Sequence, residues 1–215
     1  MAKQKLTGYK KFMTDDEINK LLKFVADKPI QIKLIFYMLV FMGLRVGEVC
    51  RLERHNVQGD KLVFRLEKSD RIHERVIPNW IKDMLYQYIQ EHKINNSWLW
   101  PTAQTNFYNG RNEHIVTDTI GWYIKHFRDE YSLNDIYYVC KDGKRLYRIS
   151  VHTLRHWFLS KLWDKTKDIV LVANIISHKK INTTFAYIMA HEKQKREAEV
   201  VNEIALGPEI AIQSL

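Results

Sequence analysis

Five side chains in widely separated stretches are of the types that hold a phosphodiester and attack it. Arg45 lies in Gly43-Leu44-Arg45-Val46-Gly47-Glu48, and His152 and Arg155 lie in His152-Thr153-Leu154-Arg155-His156. His178 ends the triplet Ile176-Ser177-His178, and Tyr187 stands nine residues beyond it. Phosphoryl transfer to a protein side chain makes three demands: the charge on the non-bridging oxygens must be held, a nucleophile must be poised, and the leaving oxygen needs a proton. Arginine serves the first best, because its planar guanidinium stays charged and binds two phosphate oxygens at once. Tyrosine can serve as the covalent nucleophile, and lysine, with its tunable pKa, suits the third demand.

Each residue taken alone has a plainer reading. Arg45 and Arg155 could be surface salt-bridge partners, and Tyr187 is one of 11 tyrosines. His152 and His156 are four apart, which is the spacing of a metal pair, but no Glu stands between them and no Cys is near. That argues against zinc. Cys50 and Cys140 are the only cysteines and show no C-x-x-C pattern, so reduced thiols are expected.

Composition points toward a polyanionic partner. Lys and Arg total 34 against 25 acidic residues, a formal charge of +9. Three basic residues against five glutamates make residues 191–215 net −2, which leaves +11 on residues 1–190. Apolar residues make up 46% of the 215 and are spread along the chain, as in a globular protein with a sizeable core. The longest apolar run, Leu34 to Met42, is nine residues. A bilayer span takes about 20, so no membrane partner is expected, and no secretory signal opens the chain.

The elements that must position these side chains are mainly helical, with small antiparallel β pieces, an α+β pattern. Residues 1–13 are Lys-rich and aperiodic, as in a linker or arm. Thr14 followed by Glu17 predicts a capping box and a helix to about Ala26. Pro29 breaks it, an all-round apolar helix follows through Met42, and Gly43 permits a tight turn that delivers Arg45 to the start of a third helix. Leu62–Leu66 and Arg75–Ile77 read as paired strands, with Lys68 where the first gives way to the turn. Pro78 opens the next helix, residues 95–114 read as a long loop, and Thr117 to Phe127 is helical again. Asp142-Gly143 predicts a hairpin between Ile136–Cys140 and Arg145–Ile149. Helices are expected over 153–164, 167–177 and 182–190, and then to about Leu206, where Gly207-Pro208 stops the last one.

The motifs, in this order, resemble the tyrosine recombinases, the family of phage integrases and Xer-type recombinases. Gly43 to Leu52 resembles the family's first arginine box, Lys68 falls in the hairpin where the family keeps its lysine, and His152–His156 resembles its H-x-L-R-H box. His178 and Tyr187 match the third basic position and the nucleophile at the family's spacing. The resemblance implies the family's catalytic-domain fold over residues 14–190, with 191–215 as a tail that could dock on a neighbouring subunit. It also implies cleavage and rejoining of double-stranded DNA through a 3′-phosphotyrosine, without metal, cofactor or small-molecule substrate. Arg45, Lys68, His152, Arg155, His178 and Tyr187 would be catalytic, the protein would self-associate on DNA as a tetrameric synapse, and it would be cytoplasmic and nucleoid-associated. A type IB topoisomerase, a telomere resolvase or a non-catalytic DNA-binding module of the same fold remain as alternatives. Ser177 stands where the family usually has Gly, the Asp142-Gly143 hairpin looks like an insertion, and only 44 residues precede Arg45. The amino-terminal DNA-binding domain usual in the family is thus not in this sequence, as expected of a catalytic fragment or a short relative.

Overall fold

Thr14 sets the first helix. Its hydroxyl accepts the Glu17 amide at 3.2 Å while the Glu17 carboxylate accepts the Thr14 amide at 2.9 Å, the expected capping box. The helix it starts, α1, spans Asp15–Ala26. The structure, a computed structural model, describes residues 12–66, 69–95, 98–102, 114–176 and 181–206. Most of the Lys-rich stretch 1–13, most of the 95–114 loop and Gly207-Pro208 lie outside the described residues.

The chain divides into two units, residues 1–159 and 160–215. In the first, α2 (Ile30–Phe41) is the central helix and carries no polar face, since seven of its 12 residues are buried. Each large side chain so buried contributes about 1.5–3 kcal/mol relative to exposure. Pro29 caps α2, with its fixed φ preset for a helix start. Helices α1, α3 (Val46–Cys50) and α4 (Asn79–Glu91) pack against α2, and α5 (Thr117–Glu130) packs against α3. The Trp100 indole donates to the Val49 carbonyl at 2.7 Å and the Tyr88 hydroxyl to the Leu99 carbonyl at 3.2 Å. These bonds fasten residues 98–102 over α3 and satisfy two polar groups that burial would otherwise strand.

Three strands, β1 (Val57–Gln58), β2 (Lys61–Leu66) and β3 (Ser69–Val76), form an antiparallel sheet in that order. Leu62 faces Arg75 and Phe64 faces His73, and the register shifts between Arg65 and Leu66. β4 (Ile136–Val139) and β5 (Arg145–Tyr147) make the hairpin expected from Asp142-Gly143, with Gly143 at φ +79°. α6 covers Val151–Thr166, so the boundary between the two units falls inside it.

In the second unit, α7 (Ile169–Ile175) packs on α8 (Ile181–Leu206). Asp168 caps α7, accepting the amides of Val170 and Leu171. α8 is one helix of 26 residues that runs without a break through residues 190 and 191. The Trp163 indole donates to Glu192 Oε1 at 2.5 Å, Lys167 Nζ reaches the same oxygen at 3.2 Å, and His191 Nε2 lies 3.2 Å from Asp164. Among the described residues no helix is long and apolar enough to cross a membrane.

Candidate active site

Arg45 occupies the N-cap position of α3, with extended backbone at φ −76° and ψ 147°. Glu48, three residues on, reaches back: one carboxylate oxygen accepts the Arg45 amide at 2.8 Å and the other takes the Arg45 guanidinium at 2.6 Å. The Glu48 side chain is 2% exposed and that of Arg45 is 30% exposed. The buried acid therefore fixes the direction of a guanidinium that still faces solvent, leaving its other donors for an anion.

The second box is built into α6. His152, Arg155 and His156 are three and four residues apart, so they share one face of the helix. His152 is exposed, Arg155 and His156 are buried, and the two imidazole centroids are 5.7 Å apart. The Thr153 hydroxyl donates to the Ser150 carbonyl at 2.6 Å and accepts the Ser150 amide at 3.0 Å, which closes the first turn just beside His152. The start of a helix favours negative charge, so His152 sits where a phosphate is electrostatically welcome.

Gly43 joins the two boxes. Arg155 Nη1 donates to the Gly43 carbonyl at 2.5 Å, across 112 residues of sequence, and so anchors its guanidinium two residues before Arg45. Gly43 is at φ +61°, a left-handed conformation that costs other residues roughly 1–2 kcal/mol. A Cβ there would also sit 2.2 Å from Cδ1 of Phe158, one turn along α6 from Arg155. Both the backbone conformation and the closeness of α6 exclude a side chain at this position.

Two residues belong to this arrangement although the residue types alone did not single them out. Glu48 is the first; its signal was the three-residue spacing from a helix start, the pattern of a capping box. Arg75 is the second. It lies on β3 opposite Leu62, is 8% exposed, and occupies an inward position in a strand where Ile72, Glu74 and Val76 face out. Burial pushes its guanidinium down to about 10, opposed by the attraction of Glu48 and reinforced by the repulsion of Arg45, so it remains charged at neutral pH. Glu48 thus has two arginine neighbours, the second of them placed by strand pairing that the sequence does not display.

Lys68 and His178 lie outside the described residues. Tyr187 is carried by the backbone of α8, on the second turn of that helix. Thr184 and Ile188, on either side of it in the sequence, are buried. Burial pushes the Cys50 thiol up to about 12, so it is protonated at neutral pH. Among the described residues, no three His, Cys, Asp or Glu side chains gather to hold a metal ion.

The chain and its fold are similar to known proteins. The tyrosine recombinase XerA of Pyrococcus horikoshii is 28% identical over 193 residues, which cover 87% of this chain and 60% of the relative. The chain therefore spans less than two thirds of that relative's length. A crystal structure of XerA recombinase superposes with a TM-score of 0.64 at 19% identity, covering 87% of this chain and 64% of the other. The XerH site-specific recombinase, solved with palindromic difH substrate in a post-cleavage complex, gives 0.65 at 18% identity, covering 91% and 54%. These likenesses show the catalytic-domain fold of tyrosine recombinases. The phage integrase family model matches residues 11–194, a span that takes in both arginine boxes and Tyr187, and this chain belongs to that family.

Proposed function

We propose that the chain is the catalytic part of a site-specific DNA recombinase that cleaves and rejoins strands through a 3′-phosphotyrosine. The observation that carries this reading is the joint at Gly43, where Arg155 is tied to the turn that presents Arg45 in a chain of the phage integrase family. In this reading Arg45 and Arg155 grip the non-bridging oxygens of the scissile phosphate and offset the charge that builds in the transition state. The Tyr187 oxygen attacks phosphorus, its proton passing toward His152. The phosphorus–O5′ bond breaks as Lys68 gives that oxygen a proton, and His178 hydrogen-bonds the phosphate. The phosphotyrosine keeps the bond energy, so a free 5′-hydroxyl from another strand can reverse the step and complete an exchange.

Double-stranded DNA is the partner in this reading. The catalytic domain starts at residue 14 and keeps His191 and Glu192 on its own chain, the part of 191–215 beyond that clasp docks on a neighbouring protomer, and copies assemble on DNA as a tetrameric synapse in the cytoplasm. The test uses a pool of labelled duplexes, nicked close to a central randomised segment so that a cleaved strand loses its short end and cannot be rejoined. The unmodified chain should form a denaturant-stable labelled band, and Tyr187→Phe should bind DNA yet form none. A band that survives in Tyr187→Phe, or no band from the unmodified chain, contradicts the reading.

A further inference from the structure

The bonds at the start of α6 fix where the His152 backbone sits but not where its ring points. Ser150 and Thr153 close the first turn, and the exposed His152 side chain still has several staggered positions open to it. The ring of His156, one turn along the same face, packs against it. The two centroids are 5.7 Å apart and the planes meet at 69°, an edge-on pair within the range of aromatic contact. His156 is 7% exposed, so close packing holds its own ring in place.

His156 is itself backed. The Phe12 ring lies 6.1 Å from it, tilted by 53°. Phe12 is tied in turn: its carbonyl accepts Arg148 Nη1 at 2.8 Å, and Arg148 Nη2 pairs with Glu17 at 2.5 Å and with Asp135 at 3.0 Å. The Arg148 and Glu17 side chains are 12% and 10% exposed, so this anchor is shielded from water. A chain of contacts therefore leads from a shielded ion pair, through Phe12 and His156, to the exposed ring of His152. No step of the proposed reaction uses His156. We infer that His156 is a positioning residue, whose ring, backed by Phe12, fixes the imidazole of His152 for its part in proton transfer. The task of His152 rests on the recombinase reading; the packing of the two rings does not. A general base acts within hydrogen-bond reach of the proton it takes, and a misplacement of about 1 Å can cost about 100-fold in rate.

The test compares His156→Leu, which fills a similar volume without a ring, with His156→Phe, which restores a ring. Covalent capture of the nicked duplex pool is followed in the full chain with protein in excess, and thermal unfolding is read alongside to select conditions in which each variant is folded. His156→Leu should slow capture by about 10- to 100-fold, and His156→Phe should recover most of that loss. A second comparison uses a His152→Ala background, followed for hours because a lost general base costs about 10²–10⁴-fold. There His156→Leu should slow capture no further, since the residue through which it acts is gone. Equal rates in the Leu and Phe variants, or the same fractional loss in both backgrounds, overturns the inference. The packing is also read without chemistry, from the His152 ring protons in NMR spectra, assigned by their loss in His152→Ala. They should shift in His156→Leu, and unshifted signals overturn the inference whether or not DNA is captured. No capture by the unmodified chain, with that shift present, would instead count against the recombinase reading and leave the hold of His156 on His152 standing.

Discussion

At the residue scale, the position that tolerates least is Gly43. A side chain there must enter a left-handed conformation and push against the Phe158 ring, 2.2 Å from where its Cβ would lie. Together these should cost Gly43→Ala about 2–4 kcal/mol in chemical unfolding. An unfolding free energy within about 0.5 kcal/mol of the unmodified protein would mean the joint between the boxes is looser than described. Glu48→Gln is the companion test. The amide can still accept the Arg45 N–H, but the charge that balances Arg45 and Arg75 is gone. Stability should fall by about 2–3 kcal/mol, and covalent capture should fall with it. Full capture by a folded Glu48→Gln protein would show that Arg45 is aimed by something else. Motif order and spacing pointed to Arg45, His152 and Arg155 as candidates, and the structure brings Arg155 to the turn before Arg45. Arg75 was not legible, since nothing in its type shows that strand pairing turns it inward beside Glu48.

At the element scale, sequence patterns located the capping box of α1, the apolar α2, the β2–β3 pair and the β4–β5 hairpin, because caps, apolar runs and turn residues act locally. The unbroken run of α8 was harder to see. The pattern suggested one helix to residue 190 and another to Leu206, whereas α8 is continuous over Ile181–Leu206 and no Gly or Pro interrupts it. What fixes α8 is tertiary: Trp163 and Lys167 on Glu192, and Asp164 beside His191. A cut after Ala190 would remove this clasp, so the tail is better isolated by a cut after Leu206. The Glu192 carboxyl is held below its ordinary 4.5 by the Trp163 indole and Lys167. The Asp164 carboxyl, though burial pushes it the other way, is held below its ordinary 3.8 by His191 and Lys167. A depressed carboxyl contributes stability that is present above its ordinary value and lost as pH falls through the folded one. The urea midpoint should therefore drop between pH 6 and pH 3, and Glu192→Gln should lose less over the same range than the unmodified protein. Equal losses would show that the clasp does not hold α8.

At the scale of the whole molecule, charge and covalent chemistry have to agree. Residues 1–190 carry +11 and the remainder is −2, so the basic excess lies in the stretch that holds both arginine boxes rather than in the tail. Composition pointed to a polyanionic partner. It could not make the assembly legible, because that depends on surfaces beyond one chain. Attack by Tyr187 is tested most directly by digesting the captured protein–DNA adduct and identifying, by mass spectrometry, the peptide that keeps the nucleotide remnant. The remnant should sit on Tyr187 through a 3′-phosphate, with a free 5′-hydroxyl on the released strand. A remnant on any other residue, or one joined through a 5′-phosphate, would contradict attack by Tyr187.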